Sequence, residues 1–222
     1  MHKAPFARPF FVMLAAGVLA ALTSSPVLAS SSDWAVGYYT PSGRALSFAS
    51  ADALPGGVAT FNFTSADNTA LLATTHGASK GTLLGDDRGK AITATFHISG
   101  ATGDFTYFGE GTPSNPCGTP ASVRLFFQTS NAGGFAFTNY WWTDATFAVL
   151  GDGSFALNDS VTPVDWSDWN GQPAAANADA FNSAASNVTL IGLSFGGGCF
   201  FENGVGTTDG SGTFNLDSFS LS

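Results

Sequence analysis

The sequence predicts an all-β protein: a jelly-roll β-sandwich of two antiparallel sheets, with at most one short helix near 174–186. Three observations carry that expectation. Apolar segments of strand length recur along the chain, separated at short intervals by Gly, Ser, Thr, Asn and Asp, the residues that supply turns. Several of those segments alternate apolar and polar residues with a period of two. No repeat and no linker divides the chain.

Taken in order, residues 1–29 read as a leader. "MHKAPFARPFFVMLAAGVLAALTSSPVLA" begins with His2, Lys3 and Arg8, continues as an apolar run and ends Val27-Leu28-Ala29. A small-residue ending of this kind is what a signal peptidase cuts, and the run is too short and wrongly flanked for a stable membrane span. The expectation is cleavage after Ala29, leaving residues 30–222 as a single secreted, extracellular β-sandwich domain. No second hydrophobic stretch follows, so no membrane insertion is expected.

The clearest strand is "AITATFHIS" (91–99), with Ile92, Ala94, Phe96 and Ile98 on one face and Thr93, Thr95, His97 and Ser99 on the other. In "GVATFNFT" (57–64), Ala59, Phe61 and Phe63 alternate with polar neighbours. "DFTYFGE" (104–110), "ASVRLFFQTS" (121–130), "GFAFTNYWWT" (134–143), "ATFAVL" (145–150), "GSFALN" (153–158), "NVTLIGLSF" (187–195) and "GTFNLDSFSLS" (212–222) complete the set. That makes about nine strands, a sandwich or jelly-roll count. "AAANADAFNSAAS" (174–186) is Ala-rich without β-branched residues, so it is a short helix or an ordered loop capping the sandwich, with Asn177 or Asp179 as N-cap. In the last strand Phe214 and Leu216 share one parity, Phe219 and Leu221 the other. One extra residue near Asp217-Ser218, a β-bulge, turns all four inward.

Composition narrows the partners. Without Lys3 and Arg8, five bases face 16 acids, a net charge near −11. Such a surface repels phosphate backbones and anionic lipid, which excludes nucleic acid and leaves neutral polymers. The two cysteines, Cys117 and Cys199, pair as one disulfide in an exported chain. Closing so long a loop stabilises the fold by about 4.5 kcal/mol on the chain-entropy estimate.

A ligand face is legible in one hairpin. "SVRLFFQTS" and "GFAFTNYWWT", closed by "NAGG" (131–134), place Val123, Leu125, Phe127, Phe135, Phe137 and Trp141 at odd positions, which read as core. The even positions hold Arg124, Phe126, Gln128, Thr138, Tyr140, Trp142 and Asp144, aromatics mixed with hydrogen-bonding groups. Adjacent residues of a strand face opposite ways, so Trp141 fills the core while Trp142, beside Tyr140, faces outward. A sugar packs its C–H face on such rings and meets planar polar groups with its hydroxyls, an apolar base with a few placed polar groups. Trp166 and Trp169 of "VDWSDWNGQP" (164–173) are candidates for a second rim. The competing reading buries Tyr140 and Trp142 under a loop or under the segment with Trp34, Tyr38 and Tyr39, and ties the 164–173 loop down by one buried indole.

Catalytic readings are thinner. A glycosidase needs two carboxylates flanking one bond, and Glu110 and Glu202 are the chain's two glutamates, each near a cysteine. Beyond the leader only His76 and His97 remain, without a Gly-x-Ser-x-Gly elbow. No zinc spacing or EF-hand loop appears; Asp86-Asp87 and Asp209 with backbone carbonyls are the one arrangement open to structural Ca²⁺.

From Trp166 onward the chain resembles the C-terminal part of a laminin-B-type domain: Trp166 or Trp169, "NGQPA" (170–174), Phe181, "SNVTLIGLSF" (186–195) and "FNLDSFSLS" (214–222). Upstream, "GTLLGDDRGKAITATF" (81–96) is similar to that family's Leu-Gly-Asp turn into a strand. Leu216-Asp217-Ser218 stands where the family has Leu-Asp-Asn, and Arg88-Gly89-Lys90 where it has Tyr-Gly-Gly. The resemblance implies a jelly roll related to carbohydrate-binding modules, without catalysis. The expectation is a non-catalytic binder of a polysaccharide or glycan through Arg124, Gln128, Tyr140, Trp142, Asp144, Trp166 and Trp169. The alternatives are a structural or adhesive protein whose aromatics only pack, and a glycosidase or lyase using Glu110 and Glu202.

Overall fold

The computed structural model describes residues 31–40, 43–66, 68–75 and 83–222; the leader with its Ala29 cut, His76 and the first two residues of the 81–96 segment lie outside them. The elements are β1 (Ser31–Thr40), β2 (Gly43–Asp52), β3 (Ala59–Asn62), β4 (Thr69–Thr74), β5 (Ala91–Thr102), β6 (Phe105–Tyr107), β7 (Ser122–Thr129), β8 (Tyr140–Val149), β9 (Gly153–Ser160), β10 (Trp166–Asp168), α1 (Ala178–Ala185), β11 (Val188–Gly196), β12 (Val205–Thr207) and β13 (Ser211–Leu221). Thirteen antiparallel strands run β10-β8-β7-β11-β4-β1-β2-β3-β13-β5-β9, with β12 joining β4 to β6. The fold is all-β.

This one sheet makes two layers by folding over. Four strands separate β11 from β13, which in a flat sheet would set them roughly 24 Å apart. Yet Phe195 of β11 meets Phe214 of β13 at 5.3 Å between ring centroids, and also reaches Phe61 and Phe63 at 5.8 Å. The β1–β2 ladder therefore lies along the edge where one layer turns into the other, and the core fills the space between them.

Alternation places the core side chains. Ile92, Ala94, Phe96 and Ile98 of β5 are all buried, while His97 on the other face bonds Asp217 through Nδ1 at 2.9 Å. The register of β13 slips between Leu216 and Ser218, so Phe214 and Leu216 enter the core and Phe219 and Leu221 pack against it. That is the bulge the changed parity predicts. All six residues of β4, "TALLAT", are buried; a strand covered on both faces carries no alternation to read. The Ala-rich stretch is a 3-10 turn over Ala174–Asn177 followed by α1. Asn177 occupies the N-cap position but makes no side-chain cap bond. Phe181 of α1 plugs one end of the core against Trp141, Phe127 and Trp166. Cys117 and Cys199 are bonded, tying the segment before β7 to the β11–β12 loop.

Several elements differ from expectation: β3 and β6 are shorter than their segments, and β1, β2, β4, β10 and β12 add to the expected nine. The 134–143 and 145–150 segments form a single strand, β8, which starts only at Tyr140. Its irregularity opposite Arg124 and Phe126 is closed by the Thr143 hydroxyl, which donates to the Thr146 carbonyl at 2.6 Å and accepts the Leu125 amide at 3.2 Å.

Candidate ligand face

The β7–β8 register pairs Phe126 with Trp142, Phe127 with Trp141 and Gln128 with Tyr140. Adjacent side chains alternate as expected, and the two indoles leave by opposite faces. Trp141 enters the core, its Nε1–H donating to the Thr138 carbonyl at 2.8 Å. Trp142 joins a second cluster on the outer face with Phe126, Leu71, Ala73 and Leu190.

The expectation that Trp142 is open to ligand is corrected: it is 2% exposed. Tyr140 stacks on it at 6.2 Å and 10°, Trp169 leans on it at 5.6 Å, and Phe201 of the β11–β12 loop covers it at 6.4 Å. Apart from Tyr140, the cover comes from segments outside β8, Trp169 and Phe201, which alternation within β8 cannot report.

Arg124 is likewise buried, at 5% exposure. Its guanidinium lies 4.6 Å from the Phe147 ring centre and 4.3 Å from that of Phe201. Nη1 donates to the carbonyls of Thr143, at 2.8 Å, and Asp144, so in this structure the guanidinium closes the β8 irregularity and is covered from solvent. Burial pulls its pKa from 12.5 down to about 10. Trp166 is a core residue, packed on Phe127 at 5.0 Å with Nε1–H on the Ser160 carbonyl at 2.9 Å. Asp144 is exposed, accepts from the Ser167 hydroxyl at 2.7 Å, and opens on a shallow hollow with Val164, Asp165 and Pro173. Gln128 and Tyr140 are half-buried, and Trp169 is 41% exposed.

The rings that do face solvent are partly ones the sequence reading sent inward. Phe135 and Phe137 sit in the loop between β7 and β8, at 60% and 47% exposure. Phe135 contacts Phe137 at 5.5 Å, Tyr140 at 5.5 Å and Trp169 at 5.8 Å, and Tyr140 contacts Trp169 at 5.3 Å. Four aromatic side chains thus form one surface cluster seated on buried Trp142. The missed signal was turn chemistry on both sides of Phe135-Ala136-Phe137: Gly133-Gly134 before and Thr138-Asn139 after.

Both supporting loops are held by side chains. Gly134 takes φ 101°, the left-handed region glycine tolerates. Asn139 Nδ2 donates to Asn131 Oδ1 at 2.7 Å, and Asn131 donates to the Tyr140 hydroxyl. Across the cluster, buried Asp168 accepts the amides of Asn170 and Gln172 through Oδ1, each at 2.9 Å. This closed turn pins Trp169 outward, and the Trp169 amide reaches the Phe137 carbonyl at 3.4 Å. Asp168, already bonded, is the one charged side chain in residues 130–139 and 168–172. The rim is amides and hydroxyls.

Glu110 and Glu202 do not line a common cleft. Glu110 is exposed beside Asp104, Pro120 and Thr208, whereas Glu202 is a buried residue of the β11–β12 loop. Asp86 and Asp87 are paired with Arg88 at 2.6 Å and Lys90 at 3.0 Å, and Asp209 lies beside Gly103 instead. Among the described residues no three of His, Cys, Asp and Glu gather closely enough to hold a metal ion. Nor is any described helix long and apolar enough to cross a membrane.

Compared with protein-family models, curated proteins and solved structures, the chain matches none.

Proposed function

We propose that this is an exported, non-catalytic glycan-binding domain whose contact surface is the cluster of Phe135, Phe137, Tyr140 and Trp169. The carrying observation is that three rings exposed by 41% or more meet Tyr140 at one place, on loops fixed by side-chain hydrogen bonds from Asn139 and Asp168. Contiguous exposed apolar surface marks an interaction site, and fixed aromatic side chains lose little entropy on binding. A sugar ring can lay its C–H face on Trp169 or Tyr140 while Asn131, Gln128, Asn170 and Gln172 meet its hydroxyls. The neutral rim fits a neutral or weakly charged polymer, and the chain's acidic charge repels polyanions. The leader and the disulfide support export, and the resemblance to a laminin-B-type, carbohydrate-binding-module-like jelly roll agrees with the same assignment.

Affinity electrophoresis through a panel of soluble polysaccharides is the test. At least one polymer retards the wild type, and Trp169→Ala abolishes that retardation; migration unaffected by every polymer refutes the reading. The two phenylalanines carry no polar handle, which favours a second reading, adhesion to another protein surface. In that case Phe135→Ser abolishes concentration-dependent self-association while no polysaccharide binds.

A further inference from the structure

Three poorly satisfied groups of the outer sheet face lie together around one short segment. The indole Nε1–H of Trp142 is buried without a hydrogen-bond partner, and so is Oε2 of Glu202. Arg124 is buried with no carboxylate in ion-pair range among the described residues. Phe201 covers both Trp142 and Arg124, and Glu202 is the next residue.

The segment Phe200-Phe201-Glu202 is anchored at both ends and lightly held between. On one side Cys199 is bonded to Cys117, and its amide donates to Asn115 Oδ1 at 2.6 Å. On the other, Asn203 Nδ2 donates to the carbonyls of Phe108 at 2.8 Å and Gly197 at 3.1 Å. Between them the bonds are Ser194 Oγ to the Phe201 carbonyl at 2.6 Å, a long Phe200 amide bond of 3.4 Å to Gly197, and Tyr39 Oη to Glu202 Oε1, also 3.4 Å. Phe200 itself projects into solvent.

We propose that residues 200–202 are a proton-held cover over a latent subsite made of Trp142 and Arg124. The neutral Glu202 carboxyl keeps the segment seated; losing that proton lifts Phe201 away, and the uncovered indole and guanidinium become continuous with Tyr140 and Trp169. The charged and titratable groups placed at this loop are Tyr39 from β1 and Arg124 from β7, with Tyr107 from β6 packed on Gly197 at its start. Tyr39 reaches Glu202 through a long hydrogen bond of 3.4 Å, and the Arg124 guanidinium lies against Phe147, Phe201 and two carbonyls, so no ion pair offsets the burial of the carboxyl. Burial accordingly pushes Glu202 from 4.5 up to about 8. Once lifted into water the carboxyl regains its ordinary pKa. Rising pH between those two values therefore favours the lifted segment, by roughly four-hundredfold from pH 5 to pH 8. Minor conformers of this kind are how covered sites become accessible. The subsite's ligand, which rests on the glycan reading above, is a further sugar residue: its ring packs on Trp142 and its oxygens accept from the indole N–H and the guanidinium.

The test is acrylamide quenching of tryptophan fluorescence at pH 5.5 and pH 8.5 in wild type, Glu202→Gln and Trp142→Phe. The quenchable share of wild-type emission rises with pH, and the rise is absent in both variants. No rise in wild type, or the same rise in Glu202→Gln, overturns the cover. Should Glu202→Gln fail to fold, the carboxyl ¹³C titration of Glu202 in wild type decides: a midpoint near 8 with a coupled shift at the Trp142 indole N–H supports it, and a midpoint near 4.5 overturns it. Affinity for a retarding polysaccharide also rises from pH 5.5 to 8.5 in wild type alone. A quenching rise with no polysaccharide bound at either pH overturns the sugar subsite and the glycan reading while leaving the cover standing.

Discussion

The β5–β13 and β7–β8 pairs are both long antiparallel ladders interrupted by a register shift, but the interruptions work in opposite directions. In β13 the shift returns Phe219 and Leu221 to the side of the core. Polar groups remain on the far side: Thr95 and Ser218, joined at 2.6 Å, and His97 bonded to Asp217 at 2.9 Å. In β8 the irregularity keeps bulky residues on the outer side, Trp142 and Phe147, and a buried arginine is recruited to satisfy its carbonyls. One ladder finishes a core. The other builds a second apolar surface that loops from elsewhere in the chain must cover or leave open. Where the cover is complete, Trp142 is sealed; where it stops, Trp169, Tyr140, Phe135 and Phe137 remain available.

That contrast can be broken at its strong end first. Phe214 stacks on Phe96 and Phe61 at 4.9 and 5.2 Å inside the core. Phe214→Ala costs about 3–5 kcal/mol in a urea unfolding curve, and Phe219→Ala, half-buried against Trp34, roughly half as much. Equal costs would mean that the shift in β13 does not sort those residues. Next comes the pH dependence of the cover. Glu202 has a folded-state pKa raised above its unfolded value, so its contribution to stability is fully present below about 4.5 and is lost as pH rises to about 8. Glu202→Gln removes that slope, a difference of up to about 4 kcal/mol between pH 5 and pH 8.5 by denaturation at each pH. Parallel profiles for the two proteins would show that Glu202 is not buried as described.

Smaller effects are expected on the open side. Asp168→Ala releases two amides and costs about 1–2 kcal/mol, with glycan affinity falling alongside because Trp169 loses its anchor. Asp168→Asn, which keeps an acceptor oxygen, restores most of both. Trp169→Ala changes stability by less than about 1 kcal/mol, as solvent-facing positions usually do. A large loss there would place Trp169 in the core rather than at a surface site.

What the sequence made legible follows the same division. The all-β class, the alternation of β5, the bulge at Asp217-Ser218, the disulfide and the Ala-rich segment ending in α1 were all readable, because each depends on local pattern or on pairing two cysteines. The opposed indoles of Trp141 and Trp142 were also readable, since neighbouring strand residues cannot share a face. The fate of the outer face was not. Whether Trp142 and Arg124 meet solvent depends on Phe201, a residue of a loop far along the chain that is drawn in by the disulfide. The positions of Phe135 and Phe137 are not legible from parity, because they lie in the loop before β8, where parity has no meaning. Strand β4 lies outside the nine expected strands for a related reason: an uninterrupted "TALLAT", buried at every position, shows no period.

The most direct measurement compares two neighbours in one experiment, the affinity at pH 6 of Trp169→Ala and Trp142→Phe for a polysaccharide that retards the wild type. Loss of more than tenfold in Trp169→Ala, with Trp142→Phe unchanged, is the predicted result. The reverse order, with Trp142→Phe losing binding and Trp169→Ala retaining it, would contradict the assignment of the exposed loop cluster as the ligand face.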